Sequence, residues 1–275
     1  MKKKFLSYPY LIWMVLFIVL PMVLILGYSF ISAGTNGTMK LTLQNLIECF
    51  QPSYMKIMGF SIWIAFISTV ACLLIGYPIA LILAGSTFKR KGTLIFLLLA
   101  PMWMNFLLRT YAWMTLLEKN GVINNFLRWI HLPTLNIINT PAAVMIGMIY
   151  NFLPFMILPI YTVMSKIDGS LIEAAKDLGA DKWAVFRKVT LPWSMAGVLS
   201  GVIMVFMPAV TTFVIPNLLG GAKDLMIGSF IEMQFFMADK WGFGAAMSAI
   251  LMVVILAITY LANRGGSLEK SESLL

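Results

Sequence analysis

Residues Glu173–Pro192, EAAKDLGADKWAVFRKVTLP, form a polar, mixed-charge stretch between two long apolar runs, Pro141–Met164 and Ser194–Leu219. A bilayer core about 30 Å thick takes about 20 apolar helical residues, and each flanking run is long enough to cross it. The polar stretch is not suited to that core, because a charged side chain at the bilayer centre costs about 2.5–3.5 kcal/mol even on insertion scales. It has to work at the membrane surface. Composition points the same way: 60% of the 275 residues are apolar, 11% are charged, and the mean hydropathy is +0.90. A soluble domain carries about 25% charged residues.

Outward from this stretch the chain reads as six apolar spans, at about Tyr8–Ile31, Ile57–Ala84, Thr93–Leu117, Pro141–Met164, Ser194–Leu219 and Gly244–Ala262. Lys2, Lys3 and Lys4 precede the first. Its apolar run exceeds the roughly 7 to 15 residues of a signal peptide, and Ser32-Ala33 is a weak cleavage site, so an uncleaved span is expected. With the N-terminus in the cytoplasm, that side carries thirteen basic residues: Lys2, Lys3, Lys4, Lys89, Arg90, Lys91, Lys166, Lys176, Lys182, Arg187, Lys188, Arg264 and Lys270. The other side carries six, namely Lys40, Lys56, Lys119, Arg128, Lys223 and Lys240. The positive-inside rule then places both termini and the Glu173–Pro192 stretch in the cytoplasm. The expected organisation is a short N-terminus at 1–7, a six-helix membrane domain at 8–264 with a surface loop at 165–193, and a disordered polar tail at 265–275.

Several functions are excluded by what the chain carries. The net charge of +9 is scattered through short loops and not clustered on one face, so no nucleic-acid partner is expected. One histidine, His131, and two separated cysteines, Cys49 and Cys72, make neither a metal site nor a plausible disulfide. There is no H-E-x-x-H motif and no convincing Ser/His/Asp set, so no catalytic residue is assigned and an enzyme is the least favoured class. No G-x-x-x-x-G-K-[ST] loop occurs either. Nucleotide energy, if used, must arrive through a separate subunit, and this chain binds no cofactor.

The surface stretch has helical grammar. Ser170 as N-cap with Glu173 three residues on would make a capping box. Ala174 and Ala175 favour helix, Leu178 supplies an apolar contact, and Gly179 suits a left-handed C-terminal cap. Asp181 can cap a second short helix through Trp183, Phe186 and Val189, with Arg187 and Lys188 near its end and Pro192 either ending it or redirecting the chain into the fifth span. Two short helices hinged at Gly179 would make a compact projection onto which another protein can pack. The alternative is a well-capped interfacial elbow. The spacing Glu173-Ala174-Ala175, three residues, Gly179, nine residues, Val189-x-Leu191-Pro192 resembles the EAA loop of bacterial ABC importer permeases, with Val189 where Ile is usual. The resemblance implies a type I importer permease fold, all-α with six spans. It also implies that Glu173, Ala174, Ala175, Leu178, Gly179, Leu191 and Pro192 form the coupling helix that docks on a cytoplasmic ATPase, which would use ATP and Mg.

What crosses the membrane is less plainly written. Arg109 is the one ionisable side chain well inside a span, and it needs a partner or water there. Asn105 lies one turn earlier, so the two are read as a structural polar pair, with anion binding by Arg109 as the alternative. Trp103, Phe106, Thr110 and Trp113 fall on another face at helical spacing and either hold a cation or simply pack. Pro208 and Pro216 make the fifth span breakable, and irregular backbone at membrane depth is tolerated where it lines a cavity, which makes Phe213 and Asn217 candidates for the pathway wall. The amphipathic segment Ala222–Phe243 is either a contact for an external binding protein or simple packing.

The motif N-x-x-x-R-x-Y at Asn105, Arg109 and Tyr111, the stretch LLGGAKDLMIGSFIEMQF at Leu218–Phe235 and W-x-F-G at Trp241–Gly244 resemble the spermidine/putrescine ABC permeases, specifically the first of their two permease subunits. That resemblance implies polyamine import across the bacterial cytoplasmic membrane by alternating access. It implies as partners a homologous second permease, two copies of an ATPase and an extracellular or periplasmic polyamine-binding protein, besides membrane lipid. No Asp or Glu lies deep in a span, and Asn217 stands where polyamine relatives can carry an acid. Other cargoes of related permeases, such as ferric iron, opine-like solutes or other organic cations, remain alternatives, as does a secondary transporter or channel working alone.

Overall fold

A computed structural model describes residues 8–33, 39–85, 91–221 and 225–265. The expected N-terminus at 1–7, all but Gly265 of the expected tail at 265–275, and residues 222–224 of the amphipathic segment lie outside the described residues, while Gly265 ends the last helix. The fold is helical. Among the described residues five helices are long and apolar enough to cross a membrane, or six if one sharply bent pair is a single span.

In chain order these are α1 (Tyr8–Ser29); a two-stranded antiparallel ribbon, β1 (Ile31–Ala33) and β2 (Met39–Leu41), pairing Ser32 with Lys40; α2 (Gln44–Cys49); α3 (Pro52–Gly85); α4 (Lys91–Trp103); α5 (Phe106–Leu117); α6 (Val122–Trp129); and α7 (Pro141–Met164). The second half has α8 (Gly169–Asp177), α9 (Lys182–Thr211), α10 (Val214–Leu219), α11 (Ile227–Phe236) and α12 (Trp241–Gly265). At 34 residues α3 is about 51 Å long, well beyond the bilayer core.

The chain divides into two compact units. One comprises residues up to Gly59 together with Ile227–Ala257. Its interior is organised by an aromatic trio, in which the Tyr54 ring lies 5.3 Å from Phe230 and 5.0 Å from Phe243. The buried amide of Asn45 donates to the Ser29 and Ile31 carbonyls at 3.3 and 2.9 Å, tying α2 to the end of α1. The Cys49 thiol is free, and burial, helped by the Glu48 charge, pushes its pKa up to about 11. It is a packed, protonated thiol at neutral pH. Cys72 is also free.

The other unit, Phe60–Met226 with the end of α12, is built on α7 lying against α9. Small residues make this approach possible. A Cβ on Gly197 would stand 2.8 Å from the Pro159 carbonyl oxygen and 2.9 Å from the Ile160 Cα, and one on Gly201 would stand 2.8 Å from the Met156 sulfur. Lipid tails are as apolar as leucine, so close backbone approach, and not hydrophobic contrast, holds such helices together. Met148, Met156, Ile157 and Ile160 of α7 are fully buried, as are Val205 and Ala209 of α9.

Two sequence expectations change here. The third span is not one straight helix over Thr93–Leu117: α4 and the segment from Phe106 meet at 91°. Pro101 tightens the end of α4 into a 3-10 turn, and Asn105 then caps α5 by accepting from the Leu107 and Leu108 N–H groups at 2.9 and 3.3 Å. The fifth span tolerates Pro208 inside α9 and breaks after it, at Thr212-Phe213. α6 and the ribbon are too short to register as periodic signals.

α6 is inside-out: Val122, Phe126 and Trp129 are exposed while Asn124 is buried. The Asn124 amide donates to the Glu118 and Leu135 carbonyls at 2.9 Å each, and its oxygen accepts the Leu135 N–H at 2.7 Å. Asn124→Ala is expected to destabilise the fold by about 2–3 kcal/mol, since three hydrogen bonds of a buried side chain go together. Denaturant titration of the purified subunit in mixed micelles checks this; an unchanged midpoint would refute it.

Candidate functional site

The loop between α7 and α9 starts with Asp168, not Ser170, as the N-cap. The Asp168 carboxylate accepts the Ser170 N–H at 3.0 Å, and helix begins at Gly169. That bond to its charged form holds the carboxyl below its usual range, so the cap stays ionised well below neutral pH. The expected Ser170–Glu173 capping box is therefore absent: Glu173 lies too far into the helix to reach back to the cap. An ionised carboxylate interacts better with the N-terminal dipole than a hydroxyl does. Glu173 is left exposed, together with Ala174, Leu178 and Gly179, while Ala175 is half-buried.

Gly179 closes α8 as expected. Its φ is +82°, its N–H donates to the Lys176 carbonyl at 2.8 Å, and the Ala180 N–H reaches back to the Ala175 carbonyl at 3.0 Å. These two bonds are a Schellman closure, which needs a left-handed residue at this place. Asp181 then caps α9 by accepting the Ala184 N–H at 2.8 Å.

The second short helix does not stop at Pro192. The turn Phe186–Thr190 widens to π geometry, with the Leu191 N–H donating to the Phe186 carbonyl, and helix runs on unbroken to Thr211. A proline ring inside an α-helix clashes with the carbonyl four residues back; a wider turn just before it relieves that clash. Arg187 and Lys188 thus sit on this turn and not at a helix end. Leu191 is half-buried and Pro192 exposed. The loop presents an outward apolar face: Leu178 is 89% exposed and Trp183 66%. Trp183 stacks on Phe186 at 5.4 Å, and Phe186 meets the Tyr77 ring edge-on at 5.9 Å.

The residues expected along the crossing path separate. Trp103 ends α4 and packs on Phe96 at 5.2 Å, so it shares no helix face with Phe106, Thr110 and Trp113 across the 91° bend. Thr110 is fully buried, its hydroxyl donating to the Phe106 carbonyl at 2.9 Å, and Trp113 packs edge-on against Tyr150 at 5.2 Å. Phe213, at the break before α10, is exposed, and so is Asn217 one turn later. Asn105 and Arg109 are not hydrogen-bonded to each other through their side chains, because the Asn105 oxygen is taken by the helix cap. The Arg109 guanidinium lies over the Phe106 ring at 5.9 Å, and its Nε is buried without a hydrogen bond. A cavity of about 370 Å³ opens beside the ends of α5 and α10, lined by Met114, Glu118, Asn139 and Leu218 among others. Among the described residues no cluster of three or more His, Cys, Asp or Glu side chains is placed to hold a metal ion.

Comparison with known proteins assigns this arrangement to a family. Residues 1–264 match the family described as "Binding-protein-dependent transport system inner membrane component". The spermidine/putrescine transport system permease protein PotB of Escherichia coli K12 is 40% identical over 247 residues, covering 88% of this chain and 90% of that protein. PotB of Haemophilus influenzae is 38% identical, covering 92% and 91%. A crystal structure of a bacterial alginate ABC transporter, in complex with an alginate pentasaccharide-bound periplasmic protein, contains a chain that superposes with a TM-score of 0.79 over 96% of this chain and 94% of that one. At 18% identity that likeness speaks for the fold alone. The chain belongs to the binding-protein-dependent transport system inner membrane components, and is a multi-pass permease subunit of an ABC importer with no catalytic role of its own.

Proposed function

We propose that this permease moves polyamines, spermidine and putrescine, from an external binding protein into the cytoplasm by alternating access. The observation that carries the reading is identity of 38–40% to permeases named for these substrates, along about nine-tenths of both chains. Chemistry is compatible with it. A polycation needs neither a metal nor a deep carboxylate if aromatic faces stabilise it along the way, and weak sites allow release. Phe213, exposed at the break between α9 and α10, and Asn217, exposed one turn into α10, are the best candidates for the pathway wall, with Phe106 and Trp103 beside the bend of the third span.

The energy source is the partner ATPase, which holds ATP and Mg; two copies are expected under a pair of homologous permeases. The exposed loop carrying Glu173, Ala174, Ala175, Leu178, Gly179, Leu191 and Pro192 is the docking element, and the lysine and arginine distribution supports its cytoplasmic placement with both termini. Titrating spermidine, putrescine and ferric iron into the cognate binding protein, then measuring ATP-driven uptake in proteoliposomes, tests the substrate. Polyamine binding and accumulation are expected. Saturable binding of iron alone would remove the polyamine reading.

A further inference from the structure

The contacts behind the docking loop assign a task to residues outside the EAA pattern. We propose that Tyr77 and Phe186 are positioning residues that link the loop to the second span, so that displacement of the loop moves α3 and α9 together. The inference rests on the docking reading of the loop.

Three contacts make the link. Trp183, exposed beside the loop, stacks on Phe186 at 5.4 Å with planes 25° apart. Phe186, the first residue of the π turn, meets the Tyr77 ring at 5.9 Å and 89°. The Tyr77 hydroxyl then lies 2.9 Å from Ser194 Oγ. Ser194 is fully buried and donates its proton to the Leu191 carbonyl at 2.9 Å, so Tyr77 is the donor in its bond to Ser194. The chain of bonds runs Tyr77 to Ser194 to Leu191, ending on the residue whose own N–H closes the π turn onto Phe186. Tyr77 therefore holds the turn from both ends: by ring contact at Phe186 and by hydrogen bond near Leu191.

This arrangement suits transmission better than plain packing would. A π turn is a local misfit in an α-helix, and its wide ring gives the helix a place to change pitch. Without a clamp, a push on the loop would be absorbed by that turn. With Tyr77 fastened across it, the turn moves as one body with α3. Two bonds in series inside a low-dielectric bundle also strengthen one another. Gly76, next to Tyr77, lets α3 approach α7 closely, because a Cβ there would sit 3.1 Å from the Met156 Cγ. The position of Tyr77 is thus fixed on the α7 side as well.

The test uses the assembled importer in proteoliposomes, with ATP hydrolysis and substrate uptake measured together. Tyr77→Phe keeps the ring and removes only the hydroxyl; uptake per ATP is expected to fall about fivefold while ATPase retention stays normal. Phe186→Leu, which keeps an apolar side chain but removes the ring, should lower uptake per ATP further. Ser194→Ala, which loses both the bond from Tyr77 and its own bond to the Leu191 carbonyl, should lower uptake per ATP at least as far as Tyr77→Phe, and adding Tyr77→Phe to it should lower uptake no further. A merely structural role would lower the amount of assembled complex and leave uptake per ATP unchanged in what remains, and that result overturns the proposal. Retention of the ATPase by a Leu178→Asp permease would instead overturn the docking reading beneath it.

Discussion

Gly197→Leu is expected to leave no stably folded permease, and Gly197→Ala to destabilise it. The added Cβ would face backbone on the opposite helix, at 2.8 Å from the Pro159 oxygen and 2.9 Å from the Ile160 Cα, so no side-chain rotation relieves the overlap. α7 and α9 would have to separate. Overpacking of this kind costs about 1–3 kcal/mol for a single methyl, and a leucine at a backbone contact exceeds what the roughly 5–15 kcal/mol of a whole domain can tolerate without rearrangement. Gly201→Ala should be milder, because its nearest obstacle at 2.8 Å is the flexible end of Met156, with the Met156 carbonyl oxygen behind at 3.1 Å. Gly59→Ala is the control: nothing lies within 4 Å of its Cβ position, and alanine raises helix propensity there. The three variants, compared by denaturant titration in mixed micelles, should rank Gly197, Gly201, Gly59 in decreasing loss. A Gly197→Ala permease as stable as the parent would refute the close-packed reading of this helix pair.

Those glycines also mark where sequence reading stops. Span existence was legible because hydrocarbon enforces long apolar runs, as at α1 and α7, and the Gly179 turn was legible because a left-handed closure selects glycine. The same sequence around Gly197, SMAGVLSG, shows only that a helix is apolar. Which partner its small face meets is a tertiary fact. The third-span bend was missed for a different reason. From sequence Asn105 pairs with Arg109 one turn away, but its oxygen serves the backbone N–H groups of a new helix, and that competition depends on Pro101 having already ended the previous one. Ser170 lost the cap to Asp168 by the same kind of local competition, two good capping residues standing two positions apart. Pro192 reads from the sequence either as the end of the short helix or as a redirection into the fifth span, since proline after a short helix usually ends it. Here a π turn absorbs the misfit and the helix continues into the span.

Leu178→Asp is expected to abolish ATP-driven uptake while leaving the permease folded. Leu178 is 89% exposed, so a carboxylate there meets water and the fold is indifferent to it. In the docked state the same side chain would be an apolar anchor at the tip of α8, and burying an unpaired charge in its place is strongly unfavourable. Truncating a central anchor costs about 2–4 kcal/mol of binding, which weakens docking by roughly 30- to 1,000-fold. Gly179→Ala reaches the same end by another route. The added methyl has room, with nothing within 4 Å, yet φ of +82° puts any L-residue in a disfavoured region, costing about 1–2 kcal/mol. Its loss should therefore be partial, with ATPase retention reduced and uptake lowered in proportion. Retention of the ATPase on the immobilised permease, read beside uptake in proteoliposomes, separates the two effects. Leu178→Asp should fail at retention and Gly179→Ala should be intermediate in both. If both variants hold the ATPase as tightly as the parent, the ATPase docks elsewhere, and the exposed leucine at the end of α8 is only the tip of an interfacial elbow.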